Sequence, residues 1–228
     1  MANKPFLYLV RGVYALLLFV AVQGVALAQS EQQALVNKAD RTLSNFLRDP
    51  DMTWLQQHLK EAKGVIIAPE VVKAGFIFGG SGGRAVTLAR DPKSGKWVGP
   101  AFYALATASV GFQAGVSVSE IVTLVMTDKA MNAMLSPSAK LGGDASIAAG
   151  PVGAGASSAL LADFISFARA KGVYGGVNLD GSVVTVSNDW NEAYYHKQGI
   201  LPPDILVRMS AHNKGAAKLL ADVARAGK

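Results

Sequence analysis

The sequence predicts an α+β domain in which a strongly curved, partly barrel-like antiparallel sheet has N- and C-terminal helices packed against it. Three observations lead there. Apolar residues repeat at helical spacing mainly near the two ends of the chain, and short apolar runs punctuated by turn residues fill the middle. Glycines also fall inside those runs, at Gly111, Gly115, Gly153, Gly155, Gly175 and Gly176, where bends, bulges or close backbone approaches need them. Half of the 228 residues are apolar and 17% are charged, which excludes a disordered chain. With no cysteine, a disulfide scaffold, a thiol nucleophile and a Cys-ligated metal are excluded as well.

The elements follow in order. Lys4 and Arg11, the apolar run 13–22 and Ala26-Leu27-Ala28 form the n-region, h-region and small-residue cleavage pattern of a secretory signal peptide over 1–28. The run is about half of the ~20 residues a spanning helix needs, so an exported, periplasmic domain over 29–228 is expected. Residues 30–47 place Leu35, Ala39, Leu43, Phe46 and Leu47 on a helical stripe that Asp49-Pro50 closes. A shorter helix over 52–62, capped by Asp51, comes next. The texture then changes to a strand at 64–68, a helical turn at 69–73, and a strand at 75–78 entering a glycine turn at 79–83. The strand returning over 84–90 puts Arg84, Val86, Leu88 and Arg90 on one face. Asp91-Pro92-Lys93-Ser94-Gly95 is a hairpin turn.

From Trp97 to Met126 the only formal charge is Glu120, and the final SEIVTLVM is apolar at both parities, the pattern of a strand buried on both faces. A helix at 128–135 closes at Ser136-Pro137, a Gly/Ala-rich stretch covers 141–156, and 163–169 reads as a strand. A hairpin over 172–186 turns at Asp180-Gly181. A helical turn at 189–197 sets Trp190 and Tyr194 on one side. One amphipathic helix from Pro202-Pro203 carries Ile205, Met209, Leu219, Leu220 and Val223.

Catalytic patterns are sparse. Gly79-x-Ser81-x-Gly83 matches a nucleophile elbow, but an elbow needs a helix after the serine, and a strand pattern follows here. A hairpin turn is the preferred reading, with a serine hydrolase using Ser81 as the alternative. His58, His196 and His212 are scattered outside metal-ligand spacings and no phosphate loop is present, so no metal and no cofactor are expected.

Charge says more. Between Lys60 and Lys96 the formal net charge is +4, and the segment from Pro202 adds +3. Removing Lys4 and Arg11 with the leader lowers the net charge of the chain from +6 to +4, too little to imply nucleic acid. Cations near an anionic bilayer gain about 1 kcal/mol each, which makes Lys63, Lys73, Arg84 and Arg90 candidate headgroup contacts if they converge. Ordinary solubilising charge spread over the surface is the competing reading. Trp54 and Trp97 are candidate interfacial anchors, whereas Trp190, Tyr194 and Tyr195 are read as core rather than a pocket mouth.

Several stretches occur together in a characteristic order: Ala62-Lys63-Gly64-Val65, Lys73-Ala74-Gly75-Phe76 with Gly79-Gly80, Gly99-Pro100-Ala101-Phe102-Tyr103, Gly111-Phe112-Gln113-Ala114-Gly115, Ala149-Gly150-Pro151, Gly172-Val173-Tyr174-Gly175-Gly176, and a segment from Asp189 ending in Tyr194-Tyr195. In this order the chain resembles the SYLF domain family. The resemblance implies a non-enzymatic phospholipid-binding domain; eukaryotic members bind phosphoinositides, and some fungal ones are associated with actin. An exported protein would meet neither, so the expected partner is a bulk anionic phospholipid at a membrane surface. The alternative is an envelope structural or assembly protein with a protein partner. The N-terminal segment implicated in membrane contact in eukaryotic members is neutral here over 29–50, with Lys38, Arg41 and Arg48 against Glu31, Asp40 and Asp49.

Overall fold

The computed structural model describes residues 30–75, 78–110, 115–153, 161–170, 173–175 and 179–227; the leader, Gly111, Gly155 and Gly176 lie outside these. Helix α1 (Glu31–Arg48) buries Ala39, Leu43 and Phe46 of the predicted stripe together with Val36, while Leu35 and Leu47 are half-buried. A 3₁₀ turn (Pro50–Met52) capped by Asp49 leads into α2 (Thr53–His58). The second helix is therefore shorter than 52–62 and Asp51 does not cap it: Met52 stands at its N-cap with no side-chain cap, and Asp49 caps the preceding 3₁₀ turn, accepting from Asp51 N at 3.0 Å. Gln32 to Lys228 forms one compact unit.

Among the described residues nine strands make one sheet: β1 (Gly64–Gly75), β2 (Phe78–Arg90), β3 (Trp97–Val110), β4 (Gly115–Val125), β5 (Ser138–Lys140), β6 (Ile147–Ala149), β7 (Phe164–Ala170), β8 (Val173–Gly175) and β9 (Val183–Val186). The order is β5-β9-β3-β2-β1-β4-β7-β6, with β8 on β7. Pairing is antiparallel except between β6 and β7. The predicted curved sheet is present as a half-barrel.

Two expected breaks are not breaks. Residues 69–73 continue β1, and 79–83 continue β2, which pairs with β1 from Gly64↔Ala89 to Gly75↔Gly79. Pro69 sits in a β-bulge between Ile67 and Glu70, where the missing N–H costs the ladder nothing. The bulge explains a glycine: a Cβ on Gly83 would lie 2.3 Å from the Glu70 carbonyl oxygen. Flanking strands on both sides hold the glycines of β2 extended, overriding their local turn preference.

Register separates two faces. Val65, Ile67, Val86, Phe102, Val122, Leu124, Ile165 and Phe167 share the first; Ile66, Ala68, Ala85, Tyr103, Leu105, Ile121, Thr123 and Ala168 share the second. Residues of the second face from β4 and from β9, four strands away, line one small cavity, so this face is the concave one. Helices cover the outer face. Thr42 of α1 donates to Glu120 at 2.8 Å, and Trp54 of α2 lies 5.9 Å from Phe167.

Helix α3 (Asp128–Leu135) has its predicted bounds and is capped by Thr127. Asp163 clamps its start to the sheet: it accepts from Thr127 Oγ1 at 2.5 Å and from Ser146 N at 2.8 Å, with Lys129 at 3.5 Å. These bonds hold its carboxyl down at about 2. The expected 172–186 hairpin does not form, because β8 pairs with β7 while β9 pairs with β3 and β5, toward opposite edges of the sheet. Its turn survives, with Gly181 at φ +79°.

Helix α4 (Asn188–Tyr195) docks on β3 through Asn191, whose buried amide accepts from Phe102 N at 2.9 Å and donates to its carbonyl at 3.4 Å. The final helix is broken into α5 (Pro202–Leu206) and α6 (Ala217–Ala226). Met209 takes a left-handed φ of 53° between them, and Asn213 caps a 3₁₀ turn while donating to the Tyr194 carbonyl at 2.6 Å. Lys218 ties α6 to Asp40 of α1. No helix among the described residues is long and apolar enough to cross a membrane.

Candidate functional site

The four candidate basic residues do not come together. Lys63 and Arg90 occupy the end of the sheet where Gly64 faces Ala89. Lys63 pairs with Asp128 at 2.9 Å, and Arg90 donates to the Gly95 carbonyl at 3.2 Å and to that of Lys60. Both hold loops in place. Lys73 lies ten residues further along β1, about 30 Å at strand rise, toward the opposite end. Arg84 lies between, on the outer face, its guanidinium 3.9 Å over the Trp190 ring and 3.3 Å from Ser187 Oγ.

Lys73 has a chemically distinctive setting. Its Cα partners are Ser117 on β4 and Ser81 on β2, and Ser81 in turn faces Thr107 on β3. The row Ser117, Lys73, Ser81, Thr107 runs across four adjacent strands on the concave side, all half-buried, spanning ~14 Å at normal strand spacing. Thr107 Oγ1 lies 2.6 Å from Ser182 Oγ, which brings a further hydroxyl to the end of the row. An ammonium flanked by hydroxyls offers a charge and several donors to a phosphate. The sequence hides this row because its members lie in four separate segments.

Ser81 is mid-strand, paired on both sides, so the nucleophile-elbow reading is overturned: nothing turns sharply there and no helix follows. Among the described residues no group of three or more Asp, Glu or His gathers as a metal site. Burial pushes up the hydroxyls of Tyr103, Tyr194 and Tyr195, which stay neutral. Tyr103 donates to the Met134 carbonyl at 2.6 Å and Tyr195 to that of Pro100 at 2.8 Å, both structural bonds.

The aromatic expectations divide. Trp54 and Trp97 are each 7% exposed and belong to the core, so they are not interfacial anchors. Tyr194 and Tyr195 are core, as expected, while Trp190 is half-buried against Phe102 with Arg84 on its ring. The concave cavity, lined by Ile66, Leu105, Ile121, Leu141, Leu179 and Val184 among others, measures about 20 Å³. That is room on the order of one water, not an acyl chain. On the outer side a polar groove of about 240 Å³ runs along α1, lined by Lys38, Arg41, Asn45, Glu70 and Glu120.

A half-barrel with a hydroxyl-flanked cation at one end of its sheet has the build of a binding module. The family model described as Las17-binding protein actin regulator, Ysc84, matches residues 106–226. The chain belongs to this family, the SYLF domain family. It is 31% identical over 170 residues to LAS seventeen-binding protein 3 of Saccharomyces cerevisiae, covering 69% of this chain and 37% of the yeast protein. It is 32% identical over 187 residues to SH3 domain-containing YSC84-like protein 1 of Bos taurus, covering 78% and 54% respectively. The match thus spans between about a third and half of these relatives' length. The relatives are named as binding proteins and regulators rather than enzymes.

Proposed function

We propose that this protein is a non-enzymatic binder of anionic phospholipids, exported to the periplasm and attached peripherally to a bacterial membrane. The row Ser117, Lys73, Ser81, Thr107 carries the reading, because it offers a phosphate one cation and three hydroxyls at the end of the sheet away from Lys63 and Arg90. Arg84 adds a second cation on the other face of the same sheet. Surface docking is the favoured mode, since the cavity among the described residues of the concave face has room for about one water. The names of the relatives favour a second reading, in which an envelope protein is the partner.

Co-sedimentation with phosphatidylglycerol-containing vesicles at low and high salt tests the first reading. Binding at low salt, lost at high salt, is expected, and Lys73→Ala weakens it about fivefold, one interfacial cation's worth. No sedimentation with anionic vesicles at low ionic strength overturns it.

A further inference from the structure

Behind the hydroxyl row, on the outer face of the same sheet end, lies a surface with no polar side chain. Register sets Val118, Val72, Gly82 and Ala106 in one row across β4, β1, β2 and β3, and Val116, Ala74, Gly80 and Ala108 in the next. Val72 is 45% exposed, Val118 47% and Val116 69%, and Ala74, Ala106 and Ala108 are exposed too. Each strand writes this in sequence as an apolar–polar–apolar triplet: Val72-Lys73-Ala74, Gly80-Ser81-Gly82, Ala106-Thr107-Ala108 and Val116-Ser117-Val118. Because successive side chains alternate faces, four aligned triplets make a sheet end that is apolar on one side and hydroxyl-bearing on the other.

The rim of the apolar side is cationic. One side-chain step toward the core, Arg84 follows Gly82 on the same face, seated on Trp190. Along α1, Arg41 is exposed, Lys38 pairs with Glu70 at 2.7 Å, and Arg169 pairs with Glu120. Four cations against Glu70, Glu120 and Asp189, the exposed neighbour of Trp190, leave the rim positive by one.

We infer that this eight-residue platform is the face that enters the bilayer, resting on an anionic leaflet with Arg84, Trp190 and Arg41 at headgroup level; the inference depends on the lipid-binding reading above. Contiguous exposed apolar surface marks an interaction site. A bilayer suits this one better than a protein does, because protein interfaces concentrate Tyr, Trp, Phe and Met at their cores, and the platform holds only Val, Ala and Gly. A tryptophan and an arginine at the border of an apolar surface are the residues that seat a protein at the membrane–water boundary.

The chain has no cysteine, so Val118→Cys accepts a single environment-sensitive fluorophore, and Lys93→Cys, in the turn at the other end of the sheet, is the control. Vesicles of phosphatidylethanolamine with phosphatidylglycerol should brighten the label at 118 and leave the label at 93 unchanged. Val116→Asp with Val118→Asp should weaken vesicle binding about tenfold or more while leaving the unfolding midpoint within a degree or two. If the unmodified protein binds but the 118 label stays dark and the double variant binds normally, the platform is wrong and the lipid reading stands. If the unmodified protein binds no vesicle, both fall. Brightening that tracks protein concentration without vesicles, alongside a dimer on sizing, assigns the platform to a second copy and overturns the inference.

Discussion

The two ends of the central sheet are built from the same four strands and behave oppositely. At one end Val65, Ile66, Ile67 and Ala68 are all buried, as are Ala85 to Ala89 on β2 and Ile121 to Val125 on β4. Helices lie on one face there and the half-barrel interior on the other, so every side chain is enclosed. At the far end the same strands run on mainly as Val, Ala, Gly and Ser, with Thr107 and Lys73 among them, and the outer face is open to solvent. Composition changes along a strand whose pairing does not. The first end supplies the burial that stabilises the fold; the second is held extended by that pairing and is free to be a surface.

Predictions that break or sharpen this contrast run from large to small. Phe167→Ala, at a fully buried ring between Trp54 and Gly150, should lower stability by about 3–5 kcal/mol in denaturant titration, whereas Val118→Ala at the open end should cost less than ~0.5 kcal/mol. Gly83→Ala forces a Cβ against the Glu70 carbonyl and should cost roughly 2 kcal/mol or more, while Gly82→Ala, whose Cβ would lie an ordinary 3.5 Å from Leu105 O, should be nearly neutral. Equal effects at these adjacent glycines would contradict the bulge.

Asp163 sharpens the contrast through pH. Its folded value of about 2 lies below its ordinary 3.8, so its stabilisation is complete above 3.8 and is lost as pH falls through about 2. Asp163→Asn should therefore cost about 1–2 kcal/mol near neutrality and flatten the stability–pH curve between those values. An unchanged acid limb would assign that limb to other carboxylates.

Much of this was legible in the chain. Ala39, Leu43 and Phe46 of α1, the bounds of α3, the doubly buried 121–125 segment and the burial of Tyr194 on α4 followed from periodicity, because each is decided by contacts close in sequence or by burial on every side, whereas the docking of α4 through Asn191 did not. The bulge at Pro69 and the extended glycines of 79–83 did not, since local Pro and Gly cues point to turns and only neighbouring strands overrule them. The separation of Lys63 and Arg90 from Lys73 depends on strand length, which those false breaks concealed. The open platform had a signal in its four triplets, but only register aligns them.

Amide hydrogen exchange with and without anionic vesicles tests the central claim most directly. Added protection should concentrate at 72–74, 79–82, 105–108 and 116–118, with 60–65 and 88–98 unchanged. Protection at the Lys63 and Arg90 end instead, with the open end unaffected, would contradict it.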